Sequence, residues 1–331
     1  MTRIVQMILA GMMLAVGVAG CGNVKQPRKS EFPDNAFQEV PQEYFNIMTD
    51  GRGGTLVSIT YETKNYGGGK EKYEKRALVY LPNGYDQQDT DTKYNVFYWM
   101  HGGGGSENEL FGGLMSDNSA KNMIDHMIAN GDMEPCIIVS PTYNNQYNGD
   151  ATANCNNYWQ ELVNDLIPEV EGKYNTYCEK TTKAGIKDSR LHRGFGGFSM
   201  GAACTWWVFE NAIEEVGYFL PVAGDSWALG QGAGGYNPDG TADYLDENVR
   251  DHGYTWEDFY IYCGVGSNDD MAGPNMKPLI NSLKKSEHEE IFKWADNFAD
   301  GNCYFFEREG GWHDQNTCYR VMYNGLPKFF G

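Results

Sequence analysis

The sequence is short of positive charge. Only 26 lysines and arginines stand against 45 acidic residues, a formal charge of −19 over 331 residues. Nucleic-acid binding needs a positive footprint on the phosphates, so DNA and RNA are excluded as partners. Internal repeats and sustained heptads are missing, which removes solenoids and coiled coils. There is no CxxC and no HExxH, so no metal site, structural or catalytic, is expected. After the apolar leader, no run approaches the roughly 20 residues that cross a bilayer. What is there is globular in kind: 41% hydrophobic, 14% aromatic and 21% charged, which excludes wholesale disorder. The length suits one large α/β domain or two small ones, and 41 glycines point to many tight turns.

Ile4 to Gly20 is apolar apart from Gln6 and follows Arg3. It is short for a membrane span and ends in small residues, as an export signal does. Val18-Ala19-Gly20-Cys21 resembles the lipobox of bacterial lipoproteins, with cleavage before Cys21 and lipid on its sulfur. An ordinary secretory signal is the alternative. The expectation is an exported envelope protein that meets the membrane only through a lipid anchor. Residues 1–20 then form the signal peptide. Residues 21–45, polar and carrying Pro27, Pro33 and Pro41, form a tether, and residues 46–331 form one domain. Seven cysteines remain after Cys21, an odd number that cannot all pair. Cys303/Cys318 and Cys155/Cys178 are candidate bridges, though spacing does not fix the pairing. Cys136, Cys204 and Cys263 sit in apolar runs and read as small buried hydrophobes.

Leu56 to Tyr61 and Tyr73 to Leu81 are strand-like runs flanking Gly67-Gly68-Gly69, a hairpin signature. Asn95 to Met100 and Pro135 to Ser140 are continuous apolar runs, the mark of strands buried on both faces. Asn118 to Asn130 is helical in spacing, as is Tyr158 to Tyr174 despite Pro168. Arg193 to Phe198 reads as a glycine-bearing strand and Met200 to Ala212 as the helix after it. Tyr218 to Ala223, Phe259 to Gly264 and Cys303 to Glu307 add three strands. Strands alternating with helices predict a mostly parallel central sheet with helices on both faces.

Between the fifth strand and its helix stands Gly197-Phe198-Ser199-Met200-Gly201, a G-x-S-x-G pattern. Alone it is weak in so glycine-rich a chain, but the strand-to-helix context is the one it needs. Small neighbours let the backbone turn sharply enough to push the serine hydroxyl outward, and the helix N-terminus adds its dipole. A serine is a poor nucleophile at neutral pH without a base. Of the six histidines, His313 follows the last strand near the C-terminus, where this architecture places its base. His126 and His288 read as surface residues, His192 and His252 have no evident partner, and His101 reads as structural. The orienting acid should follow the preceding strand, which gives Asp269, with Asp270 the alternative; either reads otherwise as a solvated turn residue. His101-Gly102-Gly103-Gly104-Gly105 follows the first buried strand. It offers backbone amides for an oxyanion hole: Gly103, or Gly104, together with Met200. No Gly-Lys-Ser/Thr or dinucleotide fingerprint follows, so a phosphate-binding loop is excluded.

With these residues placed, the chain resembles carbohydrate esterase family 1, the feruloyl and acetylxylan esterases with an esterase-D-like α/β-hydrolase core. The likeness runs over about residues 45–331. It is carried by Leu81-Pro-Asn-Gly-Tyr-Asp86, His101 through Asn108, Ser140-Pro-Thr-Tyr143, Gly196 through Gly201, Gly224-Asp-Ser-Trp227, Gly266-Ser-Asn-Asp269 and Gly311-Trp-His-Asp314. The resemblance implies an α/β-hydrolase fold, a Ser199–His313–Asp269 triad and an acyl-enzyme, with no metal or diffusible cofactor. The implied substrate is feruloylated xylan of the plant cell wall or its oligosaccharides. Acetylated xylan is the near alternative, and a non-catalytic carbohydrate-binding lipoprotein the distant one. Trp227, Trp312 and Tyr143 are candidates to present flat faces to a phenolic acyl group or a sugar, with core packing the competing reading for each.

Overall fold

The computed structural model describes residues 37–114 and 118–330. The apolar leader and Cys21 lie outside the described residues. The strands are β1 (Thr55–Lys64), β2 (Lys72–Leu81), β3 (Asn95–Met100), β4 (Cys136–Ser140), β5 (Arg193–Phe198), β6 (Tyr218–Val222), β7 (Tyr260–Gly266) and β8 (Cys303–Arg308). Among the described residues they form one eight-stranded sheet in the order β1-β2-β4-β3-β5-β6-β7-β8. β1 and β2 make the expected hairpin, in register from Thr55 opposite Leu81 to Lys64 opposite Lys72. β2 pairs antiparallel with β4, and from β4 to β8 every pairing is parallel. Nearly every residue of β3 through β7 is buried. That is why these runs are apolar without alternation: helices cover both faces of the sheet. This is the α/β-hydrolase arrangement.

The helices start and stop for local reasons. Asn118 caps the Ser119–Asn130 helix, its side chain accepting the amides of Ala120 and Lys121, and Gly131 ends it at φ 79°, as a left-handed cap does. The stretch expected as one helix over 158–174 is instead two α-helices, Ala151–Glu161 and Ile167–Lys173, joined by a wider turn over Leu162–Leu166. There the Ile167 amide reaches back to the Leu162 carbonyl. The widening falls just ahead of Pro168, which has no amide hydrogen to continue an α-helical ladder.

Three expectations are corrected by the packing. Residues 37–45, assigned to the tether, belong to the domain. The Phe37 ring stacks on Phe306 at 4.2 Å, Val40 and Tyr44 are buried, and the Tyr44 hydroxyl donates to Asp132 at 2.6 Å. Neither candidate disulfide forms: all seven described cysteines are free and buried. The Cys155 and Cys178 thiols donate to the carbonyls of Met200 and Lys180 instead, each at 3.3 Å. His288, expected at the surface, is only 4% exposed and meets Asp246 at 3.2 Å. Helical spacing shows which face a residue occupies but not whether a polar partner lets it be buried.

The largest polar group in the core is Arg193, the first residue of β5. All five guanidinium N–H groups are used: Nε and Nη2 on Glu171, Nη2 on Ser189, and Nη1 on the carbonyls of Ile186 and Glu215. Burial alone would push its pKa down, but the Glu171 carboxylate more than reverses that and holds the charge in place. Among the described residues no helix is long and apolar enough to cross a membrane.

Candidate active site

β5 ends in a turn that only its glycines permit. A Cβ on Gly201 would lie 2.3 Å from the Met100 carbonyl oxygen, and one on Gly197 would lie 2.4 Å from that of Gly201. With those contacts closed tightly, Ser199 is forced to φ 57°, ψ −117°. A non-glycine residue there stores about 1–3 kcal/mol of strain. The Ser199 amide is held by the Val222 carbonyl at 2.9 Å, and the Met200–Ala212 helix starts at the next residue.

The hydroxyl so exposed lies 2.8 Å from His313 Nε2. On the other side of the imidazole, Nδ1 lies 2.8 Å from Asp269 Oδ2. A carboxylate only accepts, so Nδ1 carries the proton and Nε2 is left to accept from the serine. Asp269 is 3% exposed. Burial works against its charge, but the hydrogen bond from His313 and the amides of Ala272 (2.8 Å) and Met271 (3.0 Å) outweigh it. Its pKa falls below the usual carboxylate range. Asp270, the alternative acid, is exposed, and the contact to His313 is made by Asp269.

The loops carrying acid and base are joined through their main chains. The Asn268 amide donates to the Gly311 carbonyl (2.9 Å) and that of Ser267 to Arg308 (2.8 Å), while Ser267 Oγ accepts the Gly310 amide. Gly266 is needed here, since a Cβ would stand 2.3 Å from the Gly311 oxygen. Asp314 caps the Gln315–Phe329 helix through the Thr317 amide, and the Phe198 ring packs 4.8 Å from His313. The imidazole is therefore fixed from both ends of its loop.

The glycine loop passes beside the serine: a Cβ on Gly102 would lie 3.6 Å from that of Ser199. Its scaffold is fully bonded. Glu109 accepts the Gly102 amide at 2.9 Å. The Gly102 carbonyl takes His101 Nδ1 (2.7 Å) and the Tyr143 hydroxyl (2.9 Å). His101 Nε2 meets Thr142 Oγ1 at 2.7 Å, and burial pushes the His101 pKa down, so it is a neutral structural ring. Among the described residues neither the Gly103 nor the Met200 amide has a hydrogen-bond acceptor. Gly104 stands at φ 76°.

The three aromatic candidates separate. Tyr143 is 2% exposed, and its hydroxyl supports the glycine loop by donating to the Gly102 carbonyl. Trp227 is half-buried, edge-on to Trp207 at 5.8 Å, and its Nε1 donates to Asp225 at 3.1 Å. Trp312 is 58% exposed beside the base. Glu109, Thr142 and Asp225 were missed from sequence, because single polar residues in loops carry no spacing signal. Among the described residues no cluster of three or more His, Cys, Asp or Glu is placed to hold a metal ion.

The Esterase family model matches residues 72–321, a span that takes in Ser199, Asp269, His313 and the glycine loop. The chain belongs to the esterase family. The esterase is 38% identical over 294 residues to endo-1,4-beta-xylanase Y of Acetivibrio thermocellus. That alignment takes in 89% of this chain but 24% of the xylanase, so the chain spans about a quarter of that relative's length. A serine-to-alanine mutant of the feruloyl esterase module from Clostridium thermocellum, complexed with sinapinate, superposes with a TM-score of 0.75 at 38% identity. That match covers 89% of this chain and 93% of the module. A ferulic acid esterase of the anaerobic fungus Anaeromyces mucronatus, 21% identical, shares the fold with a TM-score of 0.62 over 88% of this chain and 96% of that one.

Proposed function

We propose that the esterase hydrolyses feruloyl esters on plant cell-wall xylan through an acyl-enzyme on Ser199. The observation that carries the reading is the unbroken run Ser199 Oγ–His313–Asp269, each contact at 2.8 Å, beside the Gly103 and Met200 amides, which have no acceptor among the described residues. His313 takes the serine proton as Oγ attacks the ester carbonyl, and Asp269 stabilises the resulting imidazolium without itself being protonated. The Met200 and Gly103 amides receive the negative charge that develops on the carbonyl oxygen; one such donor is worth about 3 kcal/mol in the transition state. His313 returns the proton to the leaving sugar oxygen, then activates water to release the acid.

The acyl group is inferred from the feruloyl esterase module, whose complex holds a hydroxycinnamate. The open faces of Trp312 and Met271 beside the catalytic loops suit an aromatic acid better than acetyl. We assign the protein to the cell exterior, anchored through Cys21, because a polymeric substrate stays outside the cell. The test compares rates on methyl ferulate, feruloylated arabinoxylan and acetylated xylan with purified mature protein. Feruloyl esters should be preferred, with no turnover by Ser199→Ala. Preference for acetyl overturns the acyl assignment, and an active Ser199→Ala overturns the mechanism.

A further inference from the structure

Tyr143 also forms one wall of a narrow cleft, lined besides by Tyr66, Asn145, Asn154, Asn157, Tyr158 and Glu161. It is deep enough to take a hydroxyl group but not a whole ring. Asn154, Tyr158 and Glu161 fall on one face of the Ala151–Glu161 helix by their i, i+4, i+7 spacing, and the Tyr66–Gly67 turn of the β1–β2 hairpin closes over them. Glu161 is paired with Lys75 at 2.8 Å and accepts the Tyr61 hydroxyl at 2.6 Å. The Glu161 charge on the floor is thus balanced by Lys75, and at the mouth the Lys64 ammonium lies 4.8 Å from the centre of the Tyr66 ring.

One feature of the floor points to a ligand. Asn154 is 6% exposed; its Nδ2 donates to the Asn148 carbonyl at 2.7 Å, but among the described residues its buried Oδ1 has no hydrogen-bond partner, and neither has the buried Tyr158 hydroxyl. A buried unpaired polar atom costs about 1–3 kcal/mol. An acceptor beside a hydroxyl, rimmed by half-buried Asn145, Asn157 and Tyr66, is complementary to a neutral polyol: its O–H reaches Asn154 Oδ1 and its C–H face lies against the Tyr66 ring. The wall is shared with the catalytic loop, because Tyr143 donates to the Gly102 carbonyl.

We propose that this cleft is a glycosyl subsite for a neutral sugar unit of the polysaccharide that carries the scissile ester. The assignment rests on the function proposed above, but binding tests it separately from turnover. Unesterified arabinoxylo-oligosaccharide is titrated calorimetrically into the Ser199→Ala protein, with and without Asn154→Ala or Tyr66→Ala. In the active enzyme, kcat/KM on feruloylated arabinoxylo-oligosaccharide is divided by that on methyl ferulate. Each substitution should weaken oligosaccharide binding and lower that ratio by roughly 3–10-fold, as for one hydrogen bond or stacking contact. Tyr66, at the mouth, keeps the test decisive if Asn154→Ala does not fold. No binding of the oligosaccharide, or a ratio unchanged by Tyr66→Ala, overturns the subsite. Binding without any turnover of methyl ferulate by the parent enzyme overturns the proposed function and leaves the subsite standing.

Discussion

At the start of β5, Arg193 uses every donor it has; at the other end, the Gly103 and Met200 amides have no acceptor among the described residues. β5 is buried along its whole length, whereas Ser199 and Met200 just beyond it are half-buried and Gly103 is exposed. A saturated buried ion is a structural fixture, since each bond it makes offsets part of the cost of removing it from water. A strained residue with open donors is tolerated only where the surroundings over-determine it, and such places are where reactions are run. One strand thus separates stability from chemistry: the first end holds the fold together, and the second is shaped for a ligand.

Substitutions at the two ends should move different observables. The largest effect is expected for Ser199→Ala and Asp269→Asn, each lowering kcat by about 10⁴-fold or more with the urea midpoint nearly unchanged. Asp270→Asn should stay within about twofold on the same assay, because the residue is exposed. A comparable loss there would move the acid to the neighbouring residue. Arg193→Met should do the reverse. Leaving Glu171 buried and unpaired costs about 3–5 kcal/mol of stability in urea unfolding, while the folded fraction keeps its kcat. Adding Glu171→Leu should recover much of that loss.

A third buried group sharpens the contrast. Glu210, on the helix that follows Ser199, is buried with a hydrogen bond from Ser226, and burial pushes its pKa up to about 8. The folded protein keeps this proton up to about pH 8, whereas an unfolded chain releases it near about 4.3. The folded state therefore binds more protons across that window. The stabilisation is complete below it and is lost as pH rises through it. Glu210→Gln should flatten the fall in stability between pH 5 and pH 8.5 by a few kcal/mol, read from denaturant midpoints. The smallest effect is a gain: Ser199→Gly, inactive, should be about 1 kcal/mol more stable than Ser199→Ala through released backbone strain.

Much of this was legible in the sequence, for identifiable reasons. β3, β5 and the Met200–Ala212 helix fall at the expected residues, because continuous apolar runs bounded by glycine leave little choice of boundary. Ser199 and His313 could be placed because the motif and the chain order constrain each other. Arg193 looked like the edge of a strand, since its partner Glu171 lies on a helix that no spacing connects to it. His288 and the segment 37–45 failed for the same reason. Burial of a polar or aromatic side chain depends on a distant partner, and one chain read alone does not show who that partner is.

The acid and base loops grip each other through main-chain atoms, from Asn268 to Gly311 and from Ser267 to Arg308. Apart from Gly266 and Ser267, an attachment of that kind is indifferent to the side chains the loops carry. Positions such as Met271 and Trp312 can be exchanged, by drift or by an engineer, to suit a bulkier or smaller acid without realigning the proton relay.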